Sequence, residues 1–219
     1  MVPVKGSAGA KSRLGDLPET FPARGALAEA FALDTVAALL AAEKVQQVLV
    51  VTADPAAAAP LAALGARIVP EPPHTSVPEV TAPDASSRDP LNAAIARGIR
   101  VAQQEYPLCN VAVLTGDLPA LTVPDIETAL TAASAHDLAM IADEEGTGTT
   151  TLLAQAGIAM VPRFGRGSRA AHEAAGHVPL DLPATASIRR DVDTVDNLAE
   201  VLRRGVGAHT SALIARSQQ

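Results

Sequence analysis

Apolar and polar positions fall in short blocks of two kinds along this chain, and the two kinds take turns. Residues 1–4 are a clipped apolar strand running into a Gly/Ala/Ser-rich stretch over 5–15. Across 23–43, Leu27, Phe31, Thr35, Ala38 and Leu39 recur near helical spacing with Gly25 as the single breaker, which predicts one long helix. Val48, Leu49, Val50 and Val51 form a continuous apolar run within 47–52, the pattern of a parallel strand covered on both faces. Pro55 opens a helix to 64, Gly65 stands where a helix C-terminus takes glycine, and 66–70 reads as another strand.

The alternation continues with a helix over 91–105, a strand over 110–114, a helix over 123–134 and a strand over 138–142. Strand candidates at 149–153 and 158–161, a short helix at 168–175 and a last helix at 194–204 complete it. Between them, Pro72, Pro73, Pro78, Pro83 and Pro90 break both periodicities, so 71–90 reads as a flexible Pro-rich loop within a single domain spanning 1–219. Strands separated by helices of this length require right-handed crossovers and a mostly parallel sheet flanked by helices, an α/β fold. Such sheets bind ligands outside the carboxyl ends of their strands, so the loops after the strands are where chemistry is expected.

Composition narrows the partners. With 48% hydrophobic and 19% charged residues the chain can bury a core and lies outside the range of disordered polymers. Aromatics are 2%, which leaves no platform for stacking bases, and a net charge of -7 repels phosphodiester backbones. A nucleic-acid partner is therefore not expected, and any anionic ligand must be held by a local basic cluster. Cys109, the one cysteine, can form neither an internal disulfide nor a thiolate cage. No apolar run approaches membrane-spanning length and no signal-peptide pattern opens the chain, so the expected location is cytoplasmic, without a membrane partner.

Four stretches carry candidate chemistry. The loop over 5–14 places Lys5, Lys11 and Arg13 among small residues with no acid before Asp16, which suits backbone N–H and cation contacts to phosphate. It lacks the endings of a Walker or dinucleotide loop, and it fits a solvated basic surface equally well. Gly116-Asp117 follows an apolar strand, where an acid can hold a phosphate-bridging divalent cation or simply cap a turn. In Asp191-Val192-Asp193-Thr194 the acids alternate so that both face one way before a helix, which Asp193 or Thr194 could cap. Asp196, in the first turn of that helix, reads as dipole compensation.

The fourth stretch, 146–172, contains no acid, while Arg163, Arg166 and Arg169 recur three apart, spacing that suits a second anion. Within it, Thr147-Gly148-Thr149-Thr150 offers hydroxyls, and Gly165-Arg166-Gly167-Ser168 opens a helix at a glycine turn that Ser168 could cap. The five histidines show no metal spacing, and no nucleophile motif or defensible acid–base pair is present. A reaction needing only positioning and charge neutralisation fits this inventory.

Taken in order, Val2-Pro3-Val4-Lys5, Lys11-Ser12-Arg13-Leu14, Leu91-Asn92-Ala93-Ala94, Leu114-Thr115-Gly116-Asp117-Leu118-Pro119, Gly146-Thr147-Gly148-Thr149-Thr150, Phe164-Gly165 with Ser168, and Asp191-Val192-Asp193-Thr194 form a set. This ordered set resembles, from end to end, the phosphoenolpyruvate/2-phospho-L-lactate guanylyltransferases (CofC/FbiD family) that build the deazaflavin coenzyme F(420). The resemblance implies a single-domain glycosyltransferase-A-like, Rossmann-like nucleotidyltransferase. It further implies transfer of GMP from GTP to a phosphorylated three-carbon acid, with release of pyrophosphate. It places Asp117 and Asp193 on Mg²⁺, and Thr150, Gly165 and Ser168 on phosphoenolpyruvate. Lys5, Lys11 and Arg13 become the catalytic cations that clamp GTP, and Asn92 lies near the guanine or ribose. A downstream deazaflavin-transferring enzyme is the implied partner. Two other readings compete: a nucleotidyltransferase of the same fold with a molybdopterin or sugar-phosphate acceptor, and a non-catalytic nucleotide-binding regulator. The longer glycine loops of the first and the missing acceptor site of the second count against them, as does an Asp-x-Asp strand end, absent here, against sugar transfer.

Overall fold

The computed structural model describes residues 1–4, 14, 17, 21–71 and 89–217; the basic loop with Lys5, Lys11 and Arg13, and the Pro-rich stretch over 72–88, lie outside them. In chain order the elements are β1 (Val2–Pro3), α1 (Arg24–Ala41), β2 (Leu49–Thr52), α2 (Pro55–Ala63), β3 (Arg67–Pro70) and α3 (Pro90–Glu105). Then come β4 (Val111–Leu114), α4 (Val123–Ala133), β5 (Leu138–Ala142), β6 (Thr149–Ala154), α5 (Ser168–Ala174), β7 (Val178–Pro179), a 3-10 turn at Ser187–Arg189, α6 (Val195–Arg204) and α7 (Ala208–Ser217).

β1, β2 and β3 pair in parallel, with Val2 opposite Val50 and Val50 opposite Ile68. β6 pairs antiparallel with β4 and with β5, and β5 pairs parallel with β7. Met1 joins the two groups: its nitrogen donates to the Ala112 carbonyl (2.6 Å) and its carbonyl accepts from the Leu114 N–H (3.0 Å). The strand order is therefore β3-β2-β1-β4-β6-β5-β7, with β6 the single reversed strand among the described residues, and the mostly parallel sheet expected from the sequence is what forms.

The continuous apolar run of β2 is buried along its whole length because both faces of the sheet are covered. Val48 and Val50 turn toward the side packed by α1 and α4, while Leu49 and Val51 turn toward α3. Gly98 lets α3 cross closely, since a Cβ there would stand 2.6 Å from a Val51 methyl and 2.8 Å from the Met1 side chain. Asp89 caps α3 by accepting the Leu91 N–H at 2.9 Å, with Pro90 at the first helical position. A third cluster, Leu14, Leu27, Phe31, Ala120, Val192, Leu198 and Val201, ties α1 and α6 to the segment after β4.

Two expectations change. Residues 158–161 form no strand, because a turn in which the Ile158 N–H donates to Gln155 O (3.1 Å) carries Ile158 and Met160 onto the α3 core. The chain also forms α7 after the helix expected to be last. Its first N–H groups, at His209 and Thr210, donate to the buried Asp34 carboxylate of α1, both at 2.9 Å. Gly207 makes room for that contact, as a Cβ there would fall 2.3 Å from the carboxylate. Among the described residues, no helix is long and apolar enough to cross a membrane.

Candidate functional site

The segment after β4 is held in a fixed path. Gly116 passes over the end of β1, where a Cβ would come within 3.1 Å of the Pro3 carbonyl oxygen. The Leu118 N–H donates to Thr35 Oγ1 (3.1 Å), and that hydroxyl donates to the Phe31 carbonyl (2.8 Å), which anchors the segment on α1. The Asp117 carbonyl accepts the Val192 N–H at 3.0 Å, so the two acid-bearing segments run side by side. Val192 is fully buried, and Asp191 and Asp193 therefore turn to the opposite side together. One carboxylate oxygen from each of Asp117, Asp191 and Asp193 lies within 4.8 Å of the others.

Thr194, not Asp193, caps α6: its Oγ1 accepts the Asn197 N–H (3.1 Å) while Asn197 Oδ1 accepts the Thr194 N–H (2.9 Å), a reciprocal capping box. Asp193 is thereby left to the cluster, as the alternation in the sequence suggested. Asp191, which the resemblance did not place on the metal, joins it. Burial, and then the charges of Asp117, Asp193 and Asp143, push the Asp191 carboxyl up to about 8. An all-oxygen, mutually repelling donor set of this kind fits a hard divalent cation, which would relieve the repulsion.

β6 runs beside this end of β4, and the Thr115 N–H donates to the Thr150 carbonyl at 2.9 Å. Thr150 is fully buried, its hydroxyl 3.5 Å from the Ile141 carbonyl. Ser168 is also buried, and its N–H donates to Gly165 O (3.1 Å); Gly165 has φ +130°, a conformation that favours glycine. The Arg169 N–H donates to Thr147 O (3.3 Å), which joins the Gly165–Ser168 segment to the turn leading into Thr150. That turn is closed by Asp143, whose carboxylate accepts the Thr147 and Gly148 N–H groups at 2.9 and 2.7 Å. Arg169 donates to Gly146 O (3.1 Å) and pairs with Glu173 (2.9 Å). Arg166 is exposed.

Asn92 bonds to the segment before α5. It is buried in the first turn of α3, where Oδ1 accepts the Phe164 N–H (2.8 Å) and Nδ2 donates to the Phe164 carbonyl (2.9 Å). Its amide is engaged at both ends by the Phe164 backbone. His172 was not singled out by the sequence. It is fully buried, with Nε2 accepting the Arg163 N–H at 2.9 Å and Nδ1 3.0 Å from Thr149 Oγ1. Those contacts assign the ring proton to Nδ1. Burial first, then His177 and Arg163, lower its pKa to about 4.

Comparison with known proteins gives the family. The family model described as "Guanylyl transferase CofC like" matches residues 1–216. A phosphoenolpyruvate guanylyltransferase of Streptomyces scabiei is 48% identical over 216 residues, covering 99% of this chain and 95% of its own. One of Thermomonospora curvata is 42% identical, with 99% and 88% covered. Among solved structures, a cytidylyltransferase from Leptospira borgpetersenii superposes with TM-score 0.53 at 14% identity, over 98% of this chain and 90% of that one. A Desulfovibrio desulfuricans protein proposed to be a nucleotide-diphospho-sugar transferase superposes with TM-score 0.59 at 16% identity, over 99% and 96%. With the family model matching residues 1–216 and relatives at 42% and 48% identity over 99% of its length, the chain belongs to the CofC-like guanylyltransferase family.

Proposed function

We propose that this guanylyltransferase transfers GMP from GTP to phosphoenolpyruvate, giving enolpyruvyl-2-diphospho-5'-guanosine, a precursor of coenzyme F(420), and pyrophosphate. The carrying observation is the Asp117/Asp191/Asp193 cluster at the end of β4, next to the strand that bears Thr150. Relatives named phosphoenolpyruvate guanylyltransferase at 42% and 48% identity support this acceptor over a molybdopterin, a sugar phosphate or 2-phospho-L-lactate. A non-catalytic nucleotide-binding regulator would need no acceptor site beside the cluster.

An oxygen of the acceptor phosphate attacks the α-phosphorus of GTP, the bond between the α-phosphorus and the bridging oxygen breaks, and pyrophosphate departs with the electron pair. The attacking oxygen is ionised at neutral pH, so no general base is needed, which accounts for its absence from the sequence inventory. Asp117, Asp191 and Asp193 would hold Mg²⁺, which when bound supplies charge neutralisation at the reacting phosphates. Lys5, Lys11 and Arg13 would clamp the triphosphate and stabilise the leaving charge. Thr150, Gly165 and Ser168 would hold the acceptor's phosphate and carboxylate. Pyrophosphate release from each of the four nucleoside triphosphates, with and without phosphoenolpyruvate or 2-phospho-L-lactate, tests the reading. Release confined to GTP with phosphoenolpyruvate, and the enolpyruvyl product by mass spectrometry, is expected. A predominant lactyl product, or another preferred nucleotide, overturns it.

A further inference from the structure

We propose that Asn92 and His172 are positioning residues for the acceptor, fixing the backbone at Arg163 and Phe164 so that the segment carrying Gly165 and Ser168 meets β6 in one geometry. The proposal rests on the reading of Thr150, Gly165 and Ser168 as the acceptor site.

The segment between β6 and α5 is irregular, and at its tip Gly165, Arg166 and Gly167 are exposed, with Gly165 and Gly167 at φ +130° and +71°. Neither the Arg163 nor the Phe164 N–H enters a strand ladder; each donates to a side chain from another element. A primary amide has the donor and acceptor of a peptide group, so the paired contacts of Asn92 with Phe164 replace a missing neighbouring strand. Asn92 is itself placed by the first turn of α3, whose N-cap Asp89 has a carboxylate oxygen 3.5 Å from Asn92 Nδ2.

His172 braces the other side. Its ring packs edge-on against Phe164, with centroids 5.1 Å apart, and against His177 at 5.4 Å. Nε2 holds Arg163 while Nδ1 meets Thr149, the residue before Thr150. One ring thus connects both halves of the acceptor site, Thr150 through its neighbour and Gly165 through Arg163 and Phe164. Loss of either brace lets the halves drift, and small misplacement of a bound group is costly in a reaction governed by positioning. The metal-side acids are anchored separately, through Thr35 and Val192, and do not depend on either residue.

The test measures initial rates with phosphoenolpyruvate and GTP varied independently in Asn92→Ala, His172→Phe and His172→Gln, together with hydrogen exchange of residues 160–168 in the substrate-free proteins. Asn92→Ala and His172→Phe are expected to raise the acceptor KM about tenfold, with the GTP KM changed by less than about twofold, and to speed exchange in 160–168. His172→Gln restores an acceptor near the Nε2 position and should recover most of the loss. Should Asn92→Ala not fold, Asn92→Asp retains the acceptor for the Phe164 N–H, and the same split is expected at a smaller factor. Equal rises in both KM values, no rise in either, or unchanged exchange overturns the proposal. Ser168→Ala is the control on the acceptor assignment. If it leaves the acceptor KM unchanged, that assignment fails, while exchange still reads the bracing. If it raises the acceptor KM and the Asn92 and His172 variants do not, the bracing proposal alone fails.

Discussion

Acidification should weaken the fold through one ring. His172 is neutral in the folded protein because burial disfavours its charged form and because His177 and Arg163 would repel it. Its Nε2 must also carry a lone pair to accept the Arg163 N–H; protonation turns that contact into donor against donor. The folded pKa of about 4 lies below the ordinary 6.5, so between these values the unfolded chain binds more protons than the folded one. Stability from this group is therefore complete above about pH 6.5 and is lost as pH falls through 4. At about 1.4 kcal/mol per pKa unit the whole effect is about 3 kcal/mol, of which roughly 2.5 is gone by pH 4.5. His177, lowered by burial as well, adds in the same direction. Urea unfolding of the wild type and of His172→Phe at several pH values from 7.5 to 4.5 measures it. The variant should start less stable at pH 7.5 but lose about 2.5 kcal/mol less on acidification. Parallel pH profiles would refute the reasoning.

The other predictions concern the metal side, the donor loop and the C-terminal helix. Asp117→Asn and Asp191→Asn should each lower kcat by about 100-fold or more and abolish the Mg²⁺-induced rise in Tm, and Asp191→Asn should cost as much as Asp193→Asn; a retained Mg²⁺ response in Asp191→Asn removes that residue from the site. Lys11→Ala and Arg13→Ala should each weaken GTP binding about 10- to 100-fold by calorimetry, and unaltered affinity in both would return the loop to plain surface. Asp34→Ala strips two backbone N–H groups of a buried carboxylate acceptor and should destabilise the fold by about 3 kcal/mol, with α7 the first element cut in limited proteolysis.

The chain's own periodicity determined the strands and helices from β2 to α4 in the right order, because each is a local pattern: a short apolar run, a helical stripe, a proline or glycine at an end. It also put Asp117 at a strand end and turned Asp191 and Asp193 one way, since alternation is a property of any extended segment. Tertiary structure decided what depends on distant partners. α7 begins on a carboxylate some 175 residues earlier in the chain, so no local cap announces it. The apolar run at 158–161 has strand composition, but the turn from Gln155 carries it onto the α3 core instead of a sheet edge. Asp191 enters the carboxylate cluster because Val192 is drawn into the core made by α1 and α6. His172 has no motif of its own and the motif around Asn92 does not show its partner, for the groups they satisfy are backbone N–H and C=O groups, which every sequence carries and no sequence displays; only the folded chain brings Phe164 to one and Arg163 to the other.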